Sequence, residues 1–428
     1  MTHSASTVGG RAVTANSQRK APWWVVLGRI LLAVLLIIPI LYAALVALWE
    51  MPATAVAPEP VQVVSGEEPT IAWPTTGSAA AFRVVGLDGA VGASGASDPV
   101  PIASITKVIT ALVVLDAKPL SADSDGERIV LGEADVASMS TMLQQQSNYF
   151  SAAVGRTVSQ RDLLEWALVH SAGNAADSLA IWAFGSIDQF LDASKQWLSD
   201  HGFESIVLAD ANGLSADNIA TASELARIGE LAMDNAEIRK TVALTRIDVP
   251  GIGWVGNSNS LLGVDGITGI KTGNLFISGR NLLASANYQH NGTTYRIIVV
   301  VLGHVSVDAR NEATRTLLAS IGPNIRTEEI LPRGTAVANV EAPWGRSASV
   351  VTANAVSADF WGSVETSVEV DLPAVTKTRT GTNAGEALVR TGSLEHTVQL
   401  EWNGMFIGPD YWWKFTHPVE LFESWQRQ

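Results

Sequence analysis

The chain contains no cysteine in 428 residues. That excludes disulfides, thiolate metal sites, iron–sulfur clusters and a cysteine nucleophile. It is also poor in charge, 16% against 47% hydrophobic residues, so it is neither disordered nor fibrous and large cores can form. Lysine and arginine number 28 against 42 acids, with no basic run beyond the extreme N-terminus, so no nucleic-acid partner held by phosphate contacts is expected. The seven histidines (His3, His170, His201, His290, His304, His396, His417) never fall at i, i+4 on a helix or in an H-E-x-x-H frame, so no metal and no other cofactor is expected. The sequence also lacks a G-x-S-x-G nucleophile elbow and a Walker-type phosphate loop.

One absence is local. Residues 1–49 hold Arg11, Arg19, Lys20 and Arg29 but no acid before Glu50, which leaves 24 − 42 = −18 on the remainder. Ile30 to Trp49 is a run of twenty uncharged residues, enough at about 1.5 Å per residue to cross the ~30 Å core of a bilayer. Trp23, Trp24, Tyr42 and Trp49 lie near its ends, and bases flank only its N-terminal side. The pattern predicts a single-pass cell-membrane protein with a cytoplasmic N-terminus and everything after Glu50 outside. A cleaved signal peptide is the competing reading, because Ala53-Thr54-Ala55 supplies small residues, but the run exceeds the usual apolar core of about 7–15 residues.

The expected organisation is a basic tail over 1–29, a transmembrane helix over 30–49, a linker over 50–69, an α/β unit over 70–321 and a small all-β domain over 322–428. The linker is read from Pro, Ala, Val, Glu and Ser without period. In the α/β unit, a hairpin turning at Asp88-Gly89 and a second around His290-Asn291-Gly292 bracket helices expected at Ser104–Leu115, Ser159–Val169, Ala175–Phe184, Ile187–Asp200, Thr221–Asn235 and Ala309–Ile321. After Ile321, short Val/Ser/Thr runs with period-two alternation indicate strands. The closing PDYWWKFTHP segment reads as packing within that domain or as a membrane-surface or ligand-stacking element.

Chemistry is carried by Ser104-Ile105-Thr106-Lys107 at the start of a helix. A spacing of three puts the amine on the hydroxyl's face, and a neutral lysine can activate a serine. Neutrality requires burial and a second cation nearby. Ser17-Gln18-Arg19-Lys20 has the same pattern in the tail, so the tetrapeptide alone does not decide. Lys271-Thr272-Gly273, after a helix-rich interval, supplies the company: a second cation, a hydroxyl for a substrate carboxylate, and a glycine for close backbone approach. The amides of its strand can line an oxyanion hole.

Five segments in order, PIASITKVITALVVL, LLEWALVHSAGNAADSLA, DANGLSADNIATASELA, GNSNSLLGVDGITGIKTG and SGRNLLASA, resemble the serine-type D-Ala-D-Ala carboxypeptidases, the low-molecular-mass penicillin-binding proteins, over about residues 67–321. The resemblance implies a penicillin-recognising, transpeptidase-like α+β fold and release of the terminal D-alanine from peptidoglycan stem peptides through an acyl-serine, with β-lactams as inhibitors. It makes Ser104 the nucleophile and Lys107 its base. Lys271 and Thr272 would hold the substrate carboxylate, Gly273 would let the substrate-binding strand approach closely, and the amides of Ser104 and Asn274 would form the oxyanion hole.

The family's S-x-N motif fits with one residue too many. Anchored on Ser171, it puts Gly173 where asparagine belongs; anchored on Asn174, it puts Ala172 where serine belongs. Ser171 is expected to relay protons and Asn174 to contact substrate. The literal Ser285-Ala286-Asn287 falls in an expected strand after the lysine motif. A catalytically impaired wall-binding scaffold is the alternative function. A β-lactamase is a third, for which Glu204 and Glu224 are the glutamates in the relevant interval. The sequence does not indicate an oligomeric state.

Overall fold

In this computed structural model, which describes Met1 and residues 21–426, Trp23–Leu48 forms one helix of 26 residues. It starts seven residues before the expected Ile30, because Trp23 to Gly28 are apolar too and Arg29 is carried within the helix. At about 1.5 Å per residue it is some 39 Å long, and Val46 is its single buried residue, so its apolar surface is open along its length. It is long and apolar enough to cross a membrane. The stretch 2–20 of the expected basic tail, with Ser17 and Lys20, lies outside the described residues.

Residues 50–69 are not a free linker. Ala57–Pro58 pairs with Ala336–Ala342, and Gln62–Ser65 pairs with Val364–Val370. These two short strands are the outer strands of a seven-stranded sheet whose inner strands are Ala336–Ala342, Arg346–Thr352, Leu394–Asn403, Asn383–Thr391 and Val364–Val370, in that spatial order. Strands of two and four residues next to prolines carry too little period to be read locally. The C-terminal domain is therefore β-rich but not all β. It ends in two helices, Tyr411–Thr416 and Pro418–Gln426, the first capped by Asp410, which accepts from the Trp413 amide at 2.7 Å. That helix leans on the N-terminal one: the Tyr42 hydroxyl donates to the Phe415 carbonyl at 3.0 Å and Lys414 Nζ to the Trp49 carbonyl at 2.6 Å.

Between these two contributions to the β domain lies the larger unit. Its five-stranded antiparallel sheet runs, in space, Ile267–Leu275, Gly279–His290, Thr293–His304, Ala79–Val85, Val91–Gly95. Ile297 to Leu302 are buried on both faces, which explains their unbroken apolar run. One face packs against helices Thr106–Ala117, Gln160–Leu168, Gly173–Phe184 and Ala222–Asp234. The other face packs against Val307–Ile321 and receives Trp361 from the β domain, whose ring lies 5.4 Å from Phe82. Tyr295 donates to Asp359 at 2.7 Å across the same junction. Glu133–Gln144 is a helix the sequence did not announce, since its Ser, Thr and Ala blur any apolar stripe.

Candidate active site

Ser104 sits in a 3₁₀ turn, Ala103–Ile105, that runs directly into the helix Thr106–Ala117. Ala103 has φ +50°, a left-handed conformation that costs a non-glycine residue roughly 1 kcal/mol. Packing holds the turn there. The Ala103 carbonyl accepts from Thr106 Oγ1 at 2.8 Å, and two glycines press backbone against it. A Cβ on Gly213 would stand 2.3 Å from the Ala103 oxygen, and one on Gly273 would stand 2.6 Å from the Ile102 oxygen. Glycine in Lys271-Thr272-Gly273 is thus demanded by the approach of its strand to the Ser104 turn.

Lys107, one helical turn on, places Nζ 2.9 Å from Ser104 Oγ. It is buried, and loss of water pushes its pKa down to about 8, against the opposing pull of Asp210 and Asp177. Its ammonium also donates to the Asn212 carbonyl. Asn212 Nδ2 in turn donates to both oxygens of Asp177, at 2.9 and 3.0 Å, and Ser138 Oγ donates to Asp177 Oδ2 at 2.5 Å. Burial raises the Asp177 carboxyl while these donors lower it. Asp210 organises the same loop by accepting from the amides of Asn212, Gly213 and Ser215.

Lys271 is 1% exposed, and its Nζ has no hydrogen-bond partner among the described residues. Burial, then Lys107 and Arg310, hold its pKa well below the usual lysine value. Arg310 is buried too; its guanidinium donates to Asn311 Oδ1 and is pushed down to about 10 by burial and by Arg280. Thr272 donates to Ser258 Oγ at 2.9 Å. A cavity of about 200 Å³ collects Ser104, Lys107, Ser171, Gly173, Thr272 and Asn274. Ser171 has φ +68° and lines this cavity.

Asn174 does not face the cavity. It is fully buried, its Oδ1 accepting from the Phe150 amide at 3.0 Å and its Nδ2 donating to the Phe150 carbonyl at 2.9 Å, so its amide clamps a neighbouring segment and is not free for substrate. A side chain at 173 would have to displace Met142, whose Sδ stands where the Cβ would go. The amides that line this part of the cavity belong to Gln146 and Asn148, the latter donating to the His170 carbonyl at 2.6 Å. With Ser258, these escaped the sequence reading. They follow the unannounced helix Glu133–Gln144, and no motif marks them. Glu204 and Glu224 are not in the cavity; Glu224 accepts from the amides of Glu204 and Ser205 at 2.8 and 3.0 Å. Ser285 and Asn287 lie on the strand beside the lysine motif's strand, away from Ser104.

Known proteins share both sequence and fold. The D-alanyl-D-alanine carboxypeptidase DacD of Escherichia coli (strain K12) is 30% identical over 248 residues, 55% of this chain and 60% of the relative. A D-alanyl-D-alanine endopeptidase of Pseudomonas aeruginosa is 34% identical over 129 residues, 30% of this chain and 38% of the relative. The chain thus spans less than two thirds of these relatives. Penicillin binding protein 5 from Haemophilus influenzae superposes with a TM-score of 0.54 at 20% identity, covering 80% of this chain and all of that one. The Streptomyces K15 DD-transpeptidase gives 0.51 at 22% identity, covering 59% and 98%. These two share the fold: a penicillin-recognising α+β domain, followed in this chain by the β-rich domain. A family model for D-alanyl-D-alanine carboxypeptidases matches residues 88–306, slightly more than half of the sequence, and the chain belongs to that family.

Proposed function

We propose that this protein is a membrane-anchored serine carboxypeptidase that removes the terminal D-alanine from peptidoglycan stem peptides. The observation that carries the reading is the 2.9 Å contact between Ser104 Oγ and a buried Lys107 whose pKa is about 8. Neutral Lys107 takes the Ser104 proton as Oγ attacks the carbonyl carbon of the penultimate D-alanine. The amides of Ser104 and Asn274 receive the oxyanion. Lys271, a buried amine with no partner among the described residues, and Thr272 receive the substrate's terminal carboxylate. As the tetrahedral intermediate collapses, Ser171 passes a proton from Lys107 to the leaving amine, D-alanine departs, and water then hydrolyses the acyl-serine. A β-lactam acylates Ser104 by the same attack, but its opened ring stays tethered and the acyl-enzyme persists.

The N-terminal helix, with Arg29 and the other bases on its N-terminal side, supports a cytoplasmic N-terminus and a catalytic domain outside the cell membrane. The domain division that accompanies this reading is the sequence-derived one, with residues 50–69 reassigned to the β domain. The test is the full chain in detergent micelles with a fluorescent penicillin and with a D-Ala-D-Ala peptide. Labelling, D-alanine release, and loss of both in Ser104→Ala are expected. Neither label nor release from the wild type would refute the reading. Label without release would favour the scaffold alternative, which the absence of an asparagine side chain at position 173 supports.

A further inference from the structure

The N-terminal helix and the end of the chain meet in a clasp that the catalytic chemistry does not use. Besides the Tyr42 and Lys414 hydrogen bonds, the Tyr411 hydroxyl donates to the Ala43 carbonyl at 3.4 Å, and the Tyr42 and Phe415 rings lie 5.3 Å apart. The closing helix Tyr411–Thr416 therefore runs beside the stretch from Tyr42 to Trp49. Trp23 and Tyr42 are nineteen positions apart, about 28 Å along the axis and close to the ~30 Å of a bilayer's hydrocarbon. With these aromatics at the two interfaces, Ala47 to Trp49 stand about 8–10 Å beyond the hydrocarbon, among the lipid headgroups. Tyr411 and Trp412 are exposed beside them, as interfacial side chains are.

At this depth a cavity of about 580 Å³ lies between the helix end and the β domain. The aromatic side chains that line it are Trp49, Trp344 and Phe406, and its polar lining carries both signs. Lys414 is the cation, and one of its three protons goes to the Trp49 carbonyl. On the negative side stand the Glu50 carboxylate and the carbonyl end of the membrane helix, where the aligned peptide dipoles leave partial negative charge. Trp49 leaves its indole N–H without an acceptor among the described residues, whereas that of Trp344 donates to the Ile407 carbonyl at 2.9 Å. A simple anion entering this cavity would meet the carboxylate and the helix end, and a simple cation would meet Lys414. A headgroup that carries an ammonium and a phosphate suits both signs, with the ammonium over the aromatic faces and the phosphate against Lys414 and the Trp49 N–H. On the membrane-anchored reading, on which this inference rests, such groups surround the cavity. We infer that it binds the ammonium–phosphate headgroup of a phospholipid, whose acyl chains lie along the open apolar side of the membrane helix. A lipid held there wedges between the helix end and the β domain and fixes the angle between them.

The test uses the full chain in detergent micelles, titrated with lipids of identical acyl chains and followed by native mass spectrometry. Phosphatidylethanolamine should bind about tenfold more tightly than phosphatidylglycerol, which lacks the ammonium, and more tightly still than diacylglycerol, which lacks both charges. Thr376 lines the cavity from an exposed position, so Thr376→Trp fills the space while the hydrogen bonds of the clasp stay in place, and it should abolish the preference at an unchanged melting temperature. Lys414→Gln should weaken phosphatidylethanolamine about tenfold, and Lys414→Arg should keep most of the affinity. Equal affinity for phosphatidylethanolamine and phosphatidylglycerol overturns the inference, as does a preference that survives both Thr376→Trp and Lys414→Gln. Soluble phosphoethanolamine binding as tightly as the lipid overturns the assignment to a lipid. Failure of the full chain to enter liposomes of any composition removes the membrane reading beneath the inference, whereas entry without any lipid preference removes the inference alone.

Discussion

Replacing Asp177 by asparagine separates the charge of this residue from its shape. With a pKa of about 8, Lys107 is neutral in roughly one molecule in eleven at pH 7. At the unperturbed lysine value the fraction would be about one in three thousand. Burial provides that gain, and Asp177 works against it, since its carboxylate favours the ammonium form. The carboxylate does not touch Lys107. It grips Asn212 Nδ2, and the Asn212 carbonyl accepts from the lysine. Asparagine keeps an oxygen for these donors but removes the charge. The rate of acylation by a fluorescent penicillin, followed from pH 5.5 to 9.5, should rise with pH in the wild type and reach half its plateau near pH 8. In Asp177→Asn the rising limb should move to lower pH, so that the variant reaches a larger share of its own plateau at pH 6. The plateau itself reports whether Asn212 has stayed in place. A limb that stays put or moves to higher pH would refute the assignment of Lys107 as the base tuned by this network.

Two further predictions concern the segment after Ser171. Gly173→Asn should lower the melting temperature only modestly, because its Cβ would displace Met142 Sδ, the far end of a flexible side chain that can turn aside. Adding Met142→Ala should recover part of the loss, and additive effects of the two changes would contradict the clash. Asn174→Ala should unpair two buried backbone groups of Phe150, each worth about 1–3 kcal/mol, and so lower the melting temperature by several degrees without moving the pH limb of acylation. A shifted limb at an unchanged melting temperature would return Asn174 to the catalytic site.

What could be read from the sequence is what is local or strongly periodic. Ser104 and Lys107 meet because the lysine stands three positions after the serine at a helix start, and the helix Ile187–Asp200 has a wide enough apolar stripe to be bounded by pattern alone. The reading stops where one segment decides another's direction. Asn174 is one residue from Gly173 in sequence, but it turns to Phe150, 24 residues earlier, because that buried segment needs a donor and an acceptor. Met142, Gln146 and Asn148 arrive from one other part of the fold and Ser258 from a second, and nothing near each of them in sequence signals it. Residues 57–65 were opaque for a different reason: their partners are strands some 280 to 300 residues later, and pairing of that kind leaves no trace in a few prolines and valines.

The pairing of residues 57–65 also sets an order of events. Pro58 and Gln62 belong to opposite margins of the seven-stranded sheet, yet four residue steps separate them, about 14 Å at full stretch. The sheet must therefore curl until its margins nearly meet, and this short stretch is the stitch across the gap. The stitch is synthesised first and the cloth last, since every other strand of the sheet comes after residue 335. During biosynthesis the catalytic unit can complete its own core while the stitch waits unpaired, and the β domain closes only when Leu394–Asn403 has emerged. Both ends of the catalytic unit then run into one closed body, so that it is held like a bucket by both ends of its handle and does not swing on a single tether.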